Sequence, residues 1–214
     1  GQSADMKAIG AIAKTHGIRV IEDASHCIGG QYNGQPIGAC EFSDICVFSF
    51  HPVKIITTAE GGLATTQDAG LAAQMGLYRS HGVTRDPALM ETVDAEPWEY
   101  DQVALGLNYR MTEMQAALGV SQTRRLADFV AHRQRMAKRY DALLADLPLI
   151  LPWQNPDSYS ALHLYPILID TDKTNRTRRE VFEHLRAAGI GVNVHYIPVH
   201  TQPDYQRLGF RRGD

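Results

Sequence analysis

The fold is decided by residues 21–66, which read IEDASHCIGGQYNGQPIGACEFSDICVFSFHPVKIITTAEGGLATT. Two short apolar runs, at residues 18–21 and 45–50, are rich in β-branched and aromatic side chains and predict strands. The second run is almost continuously apolar, which is typical of a strand buried on both faces of a parallel sheet. The first strand should end next to Asp23. That carboxylate would then lie at the strand-end edge where open α/β sheets bind ligands.

The second strand leads into a loop that contains Lys54. Pro52 stiffens this loop, and Ile55 and Ile56 give the lysine an apolar setting. Burial disfavours the charged form of a lysine, and the neutral amine is the nucleophile of Schiff-base chemistry. A carboxylate that pairs with a pyridine nitrogen and a lysine that binds an aldehyde are the minimal requirements for pyridoxal phosphate. Taken singly, Asp23 could equally cap a turn and Lys54 could be an ordinary solvated side chain.

Three motifs occur together and in order: DASH at residues 23–26, SFHPVK at 49–54 and TAEGG at 58–62. In this combination the chain resembles the DegT/DnrJ/EryC1/StrS family of nucleotide-sugar aminotransferases. The resemblance implies an α/β, fold-type I pyridoxal-phosphate transferase. Its mostly parallel central sheet would belong to a partial large domain, followed by a small α+β C-terminal domain.

The resemblance also implies a role for individual residues. Lys54 would be the lysine that binds pyridoxal 5'-phosphate, Asp23 the partner of its pyridinium nitrogen, and His26 a neighbour of its ring and phenolic oxygen. Ser49 would bind the phosphate. One branch of the family dehydrates sugars and has histidine in place of the lysine, so Lys54 favours amino transfer over this alternative.

Residues 106–117, GLNYRMTEMQAA, contain a helix start. Thr112 followed by Gln115 predicts a capping box, and the free amides of a helix N-terminus favour anions. On the residues alone, Asn108 could simply fix a turn. The resemblance implies instead that Asn108 reaches the cofactor phosphate of the partner subunit, and therefore a homodimer with shared sites.

The composition is that of an ordinary globular protein, with 214 residues, 44% hydrophobic residues, 21% charged residues and a net charge of −3. Mild acidity without interleaved basic and aromatic residues gives no indication of nucleic-acid binding. No run approaches the roughly 18 apolar residues of a membrane span. Three cysteines without CxxC spacing predict reduced, mostly buried thiols in a cytoplasmic protein.

The remaining patterns predict a large-domain part at residues 1–147 and a small-domain part at 148–214. In the first part we expect a helix at 4–16, a hairpin at Asn33-Gly34, a helix at 67–79, a long loop at 80–98, and either one long helix or two helices with a bend at 112–144. In the second part we expect strands at 160–169 and 190–196 and a helix at 176–188. The helix at 4–16 resembles the middle of a βαβ alternation, and the chain stops at residues 211–214, where a last helix and strand would be expected. We therefore expect truncation at both ends relative to a complete enzyme.

Histidine and tyrosine side chains around rigid prolines suit hydrogen bonds to sugar hydroxyls and phosphates. His51, Tyr196 and His200 are therefore candidates for substrate binding, whereas no ligand set for a metal is evident. The segment GVNVHYIPVH at residues 191–200 resembles the sequences of one branch of the family. Enzymes of that branch aminate a UDP-linked 4-keto-6-deoxy-N-acetyl sugar in pseudaminic acid biosynthesis, with glutamate as donor. Such a product serves surface glycans or flagellin. A non-catalytic binding protein with this fold is the remaining alternative.

Overall fold

A computed structural model describes all residues, 1–214. Its helices are α1 (Met6–His16), α2 (Ala69–Tyr78), α3 (Glu113–Thr123), α4 (Leu126–Leu144), α5 (Arg178–Ala187) and α6 (Pro203–Arg207), with a 3-10 turn at Val199–Thr201. Its strands are β1 (Ile21–Asp23), β2 (Gln31–Tyr32), β3 (Gln35–Pro36), β4 (Ile45–Ser49), β5 (Gly62–Thr65), β6 (Val83–Thr84), β7 (Asp101–Gln102), β8 (Leu149–Ile150), β9 (Ser158–Tyr159) and β10 (Leu168–Ile169). None of the helices combines the length and the apolar character needed to cross a bilayer.

The chain forms two compact units. The first contains residues 1–139 and 153–164, and the second contains residues 140–152 and 165–214. Helix α4 runs from the first unit into the second. The predicted domain division between residues 147 and 148 stays a prediction.

The main sheet of the first unit has the strand order β1-β4-β5. Strands β1 and β4 are parallel, whereas β5 returns antiparallel to β4. Strand β1 begins later than the predicted residue 18, because Asp44 accepts the amide of Val20 while the carbonyl of Val20 accepts the amide of Asp44. At the other end Asp23 pairs with Val47 of β4, so it is the last residue of the strand rather than a residue beyond it.

The core lies against one face of this sheet. Cys46 and Phe48 of β4 are buried, and they pack with Phe50 and Ile56 in the largest apolar cluster. Val47, between them, is exposed, so the prediction that β4 is buried on both faces is wrong. Successive side chains of a strand point to opposite faces, and only one face of this strand meets the core.

Local signals outside the sheet are mostly confirmed. Helix α1 is capped by Asp5, whose side chain accepts the amide of Ala8, and it ends at Gly17 in the left-handed conformation. Asn33 and Gly34, with φ of 49° and 76°, form the turn of the β2–β3 hairpin. The helical stretch at 112–144 is two helices, α3 and α4. The predicted loop at 80–98 contains β6, which pairs with β7.

The second unit contains the antiparallel pair β8–β10 and helix α5. Thr177 and Glu180 form a capping box at the start of α5, as expected of a helix here. The predicted strand at 190–196 is wrong, because no other segment pairs with these residues. Of the strand predicted at 160–169, only β10 (Leu168–Ile169) is present. Residues 160–164 belong to the first unit, where Leu162 adopts a left-handed φ of 49° that turns the chain.

Candidate active site

The carboxyl ends of β1 and β4 meet at one edge of the main sheet. The two strands are parallel with Ile21 opposite Ile45 and Asp23 opposite Val47. Asp23 is the last residue of β1 and Ser49 the last residue of β4. This is the edge at which α/β sheets bind ligands. Asp23 and Ser49 therefore lie at the same edge of the sheet, and their role in cofactor binding stays a prediction.

Asp23 is held as an anion by the turn that follows β1. Its Oδ1 accepts the amide of Ser25 at 3.1 Å. Hydrogen bonds from the Ser25 side chain and backbone lower the pKa of Asp23, and the positive charges of His26 and Lys54 lower it further. An ionised carboxylate at this edge can stabilise a protonated ring nitrogen of a ligand.

Lys54 lies in a loop, residues 50–61, that leaves and re-enters the sheet at neighbouring points. The amide of Phe50 donates to the carbonyl of Gly61 at 2.8 Å, and Thr58 donates to the carbonyl of Phe50 at 3.0 Å. Ser49 and Gly62 are paired directly below, as the last rung of β4–β5. These bonds tie both ends of the loop to one point of the sheet.

The lysine itself is fixed by a short turn and by its neighbours. Its amide donates to the carbonyl of His51 at 2.9 Å. Ile55 and Ile56, which follow it, are 6% and 1% exposed and anchor the backbone in the core. The Lys54 side chain is half-buried, which agrees with the predicted partly apolar setting. The loop thus places Lys54 close enough to Asp23 for its charge to lower the pKa of that carboxylate.

His26 and His51 flank this pair in different ways. His26 follows Asp23 in the turn after β1 and is half-buried. Its ring lies 4.3 Å, centroid to centroid, from the ring of His163. His51 is exposed, and its Nε2 lies 3.9 Å from Oε1 of Glu60.

His163 was not predicted as a site residue. It lies in residues 153–164, which return to the first unit after the excursion into the second. It begins an HLYP stretch at residues 163–166, and no spacing in the sequence relates it to His26, which lies far earlier in the chain. Only the folded chain brings the two imidazoles together.

Asn108 is exposed on a strand-like stretch beside the end of α2. It forms an isolated antiparallel bridge with Ser80. On either side of it, Leu107 donates to the carbonyl of Tyr78 at 2.7 Å and Tyr109 donates to the carbonyl of Arg79 at 2.9 Å. Thr112 then begins α3 with the predicted capping box to Gln115.

Tyr196 and His200 lie in the second unit. Tyr196 is 77% exposed and its ring lies 4.2 Å from that of His195. His200 is half-buried in the 3-10 turn. Their proposed role in substrate binding, together with that of His51 in the first unit, stays a prediction.

Comparison with known proteins agrees with this arrangement. The sequence model of the DegT/DnrJ/EryC1/StrS aminotransferase family matches residues 1–213. The spore coat polysaccharide biosynthesis protein SpsC of Bacillus subtilis is 37% identical over 217 residues, which cover 100% of this chain and 55% of SpsC. A UDP-4-amino-4,6-dideoxy-N-acetyl-beta-L-altrosamine transaminase of Campylobacter jejuni is 36% identical over 209 residues, 97% of this chain and 52% of that protein.

The fold of this chain is also similar to solved structures of sugar aminotransferases. Helicobacter pylori PseC, an aminotransferase of pseudaminic acid biosynthesis, has a TM-score of 0.83 at 32% identity, covering 96% of this chain and 53% of PseC. DesV of S. venezuelae has a TM-score of 0.82 at 33% identity, covering 99% of this chain and 52% of DesV. The chain spans about half the length of these relatives. With a family match over nearly its whole length and a fold shared with sugar aminotransferases, the chain belongs to the DegT/DnrJ/EryC1/StrS aminotransferase family.

Proposed function

We propose that the chain carries the lysine-bearing part of a pyridoxal-phosphate-dependent aminotransferase that moves an amino group from glutamate to the 4-keto carbon of a UDP-linked sugar. The observation that carries the proposal is the placement of Asp23 and Lys54 at one sheet edge, where the lysine's charge helps to hold Asp23 ionised.

The side chains at this edge fit the chemistry of pyridoxal phosphate. The cofactor requires an anion for its pyridine nitrogen and an amine for its aldehyde, and the two side chains have that chemistry. Ser49 ends β4 beside them and supplies a hydroxyl for the phosphate. Asn108 is exposed, as it must be to reach the cofactor of a partner subunit in the proposed homodimer.

Each residue then has a defined task. The bound cofactor supplies an electron sink and carries the amino group between substrates. Lys54 Nζ removes the proton from Cα of glutamate as general base and later returns a proton as general acid. Asp23 holds the proton on the pyridine nitrogen, so that negative charge developed at Cα is stabilised. His26 orients the ring from the turn that also contains Ser25.

The acceptor class is supported by the relatives. The Campylobacter jejuni protein is named as a transaminase of a UDP-linked amino sugar, and PseC is described as acting in pseudaminic acid biosynthesis. A 4-keto-6-deoxy-N-acetyl sugar is therefore the substrate to test first, with surface-glycan or flagellin sugars as the product class. We propose that His51, Tyr196 and His200 bind its hydroxyls and phosphates. The three free, buried cysteines support a cytoplasmic location.

Reductive labelling tests the proposal. The natural gene product that contains this chain is incubated with pyridoxal phosphate, reduced with borohydride and mapped by peptide mass spectrometry. We expect one label, on Lys54, and none in Lys54→Arg. Lys14→Arg on α1 is the matched control and should label like the wild type. A label on another lysine, or no label at all, would show that the assignment is wrong.

Product analysis separates the alternatives. With glutamate and the UDP-linked 4-keto sugar, we expect a sugar that has gained an amino group. A dehydrated sugar would indicate the dehydratase branch instead. Binding of the nucleotide sugar without turnover would indicate a non-catalytic protein.

A further inference from the structure

The imidazole of His163 packs on the imidazole of His26 in the first unit. The ring centroids are 4.3 Å apart and the ring planes are inclined by 45°. Both side chains are half-buried, and the charge of Lys54 reaches both Asp23 and His163. His163 is thus part of the environment of the lysine, although it lies far away in the sequence.

The backbone around His163 is held firmly by α4. Arg133 Nη1 donates to the carbonyls of Leu162 and His163 at 3.1 and 3.3 Å. Gln134 Nε2 donates to the carbonyl of Ser160 at 2.6 Å, and the Ser160 hydroxyl accepts the amide of Leu162. The imidazole of His163 therefore projects from a segment with little freedom to move.

One ring nitrogen of His163 has an unusual environment. Nδ1 is buried and has no hydrogen-bond partner. A buried N–H without an acceptor is rarer in proteins than an acceptor without a donor. The ring is consequently expected to carry its proton on Nε2, with Nδ1 as a bare acceptor.

The charge around His163 favours the same neutral form. Burial lowers its pKa to about 4, assisted by the positive charges of His26, Lys54, Arg133 and the amino group of Gly1. At neutral pH the ring that contacts His26 is uncharged.

We propose that His163 is a positioning residue, whose neutral imidazole fixes the ring of His26 at the edge that contains Asp23 and Lys54. The ring contact and the anchored backbone carry this inference. The benefit for cofactor binding rests on the proposed function, whereas the effect on His26 does not. His163 acts through His26 and is assigned no contact with substrate.

The first test needs no cofactor. Histidine side chains of the natural gene product are labelled with ¹⁵N and titrated by NMR. We expect His163 as the Nε2–H tautomer from pH 8 down to pH 5, since its pKa is lowered to about 4. His163→Phe keeps an uncharged ring and should leave the His26 signals close to those of the wild type, whereas His163→Ala should change their shift and titration. A His163 protonated at pH 6, or a His26 unaffected by His163→Ala, would overturn the proposal.

The second test is the affinity for pyridoxal phosphate, measured by absorbance titration. We expect a loss of about tenfold in His163→Ala, within the coupling found between contacting side chains. His163→Phe should lose no more than about threefold in affinity for pyridoxal phosphate. His132→Ala, at an exposed histidine of α4, is the control and should bind as the wild type.

The outcomes distinguish the two proposals. If the wild type does not bind pyridoxal phosphate, the proposed function fails, and the NMR titration still decides the role of His163. If the wild type binds but His163→Ala binds equally well, the positioning role is wrong. Equal losses in His163→Phe and His163→Ala would show that ring contact is not what matters. If His163→Ala does not fold, the wild-type tautomer and the His163→Phe variant decide.

Discussion

The side-chain amide of Gln115 donates a hydrogen bond of 2.9 Å to the carbonyl oxygen of Glu60. Glu60 lies in the 50–61 loop that contains Lys54, and Gln115 lies in the first turn of α3. The oxygen of the same amide accepts the backbone amide of Thr112 at 3.0 Å and its hydroxyl at 2.9 Å. One side chain therefore caps a helix and connects it to the loop of the proposed catalytic lysine.

The two tasks of Gln115 can be separated by mutation. Gln115→Glu keeps the oxygen that caps the helix but loses the donor to Glu60, so we expect a loss of about 0.5–1.5 kcal/mol in the free energy of unfolding and faster exchange of the loop amides. Thr112→Ala removes the cap instead and should cost about 1 kcal/mol, with faster exchange at the start of α3. Urea unfolding and hydrogen exchange measure both. Identical exchange patterns in the two variants would contradict this division.

Lys54→Ala should abolish amino transfer and leave the fold intact. The side chain is only half-buried, and the core contacts of the loop come from Ile55 and Ile56. Loss of the general base alone is expected to slow turnover by about 10²–10⁴-fold. The variant also loses the amine that binds the cofactor aldehyde, so no amino transfer should be measurable. Steady-state kinetics with a thermal unfolding curve check this. Turnover that survives the substitution would refute the assignment of the lysine.

Asp23→Asn should lower kcat by about 10²–10³-fold, because an amide cannot hold a proton on a ring nitrogen as an anion does. Asp157→Asn, at an exposed position, serves as control.

The pKa of Asp23 is lowered in the folded protein, first by the Ser25 side chain. Its ionisation therefore stabilises the fold above the unfolded pKa, and this contribution is lost as pH falls through the lower folded pKa. Ser25→Ala should consequently move the acid limb of the pH–rate profile to higher pH, and an unchanged limb would argue against this linkage.

Substitution by alanine should change the free energy of unfolding in opposite directions at Gly106 and Gly76. A Cβ on Gly106 would overlap the backbone nitrogen of Gly82, whereas a Cβ on Gly76 in α2 meets nothing within 4 Å. Gly106→Ala is expected to cost about 1–3 kcal/mol through overpacking and to displace the neighbouring Asn108. Gly76→Ala should add about 0.5–1 kcal/mol because alanine favours the helix. Urea denaturation measures both changes in the free energy of unfolding, and a change in the same direction in both variants would contradict this packing.

Cys46 should be inert in the folded protein. It is 0% exposed, and burial raises the pKa of its thiol to about 12. The thiolate is the reactive form, so alkylation at pH 8 should not reach Cys46 until the protein is unfolded. Mass spectrometry after timed alkylation, with and without guanidinium, measures this. Rapid labelling under native conditions would disprove the burial of the strand.

The features that the sequence predicted are those set by local chemistry. The Asn33-Gly34 turn, the Thr112 capping box and the strand-end position of Asp23 each depend on a few neighbouring residues. The direction of β5 and the exposure of Val47 depend on which segments pack against the sheet, and strand propensity does not encode that. His163 was missed for the same reason, since its contact with His26 exists only once α4 has placed residues 160–163.

The loop that contains Lys54, residues 50–61, begins and ends next to one residue pair, Ser49 and Gly62. This arrangement affects how the loop can move. Both ends of the loop are joined to the same pair of strands, and the amide of Thr58 donates back to the carbonyl of Phe50. Its middle is also held in the apolar interior by Ile56. The backbone of the loop cannot move away without breaking these bonds to the sheet, so loop and strands should open together as one cooperative unit. Whatever rearranges during turnover, the backbone of Lys54 then keeps its position relative to Asp23, and movement of the amine is left to the lysine side chain.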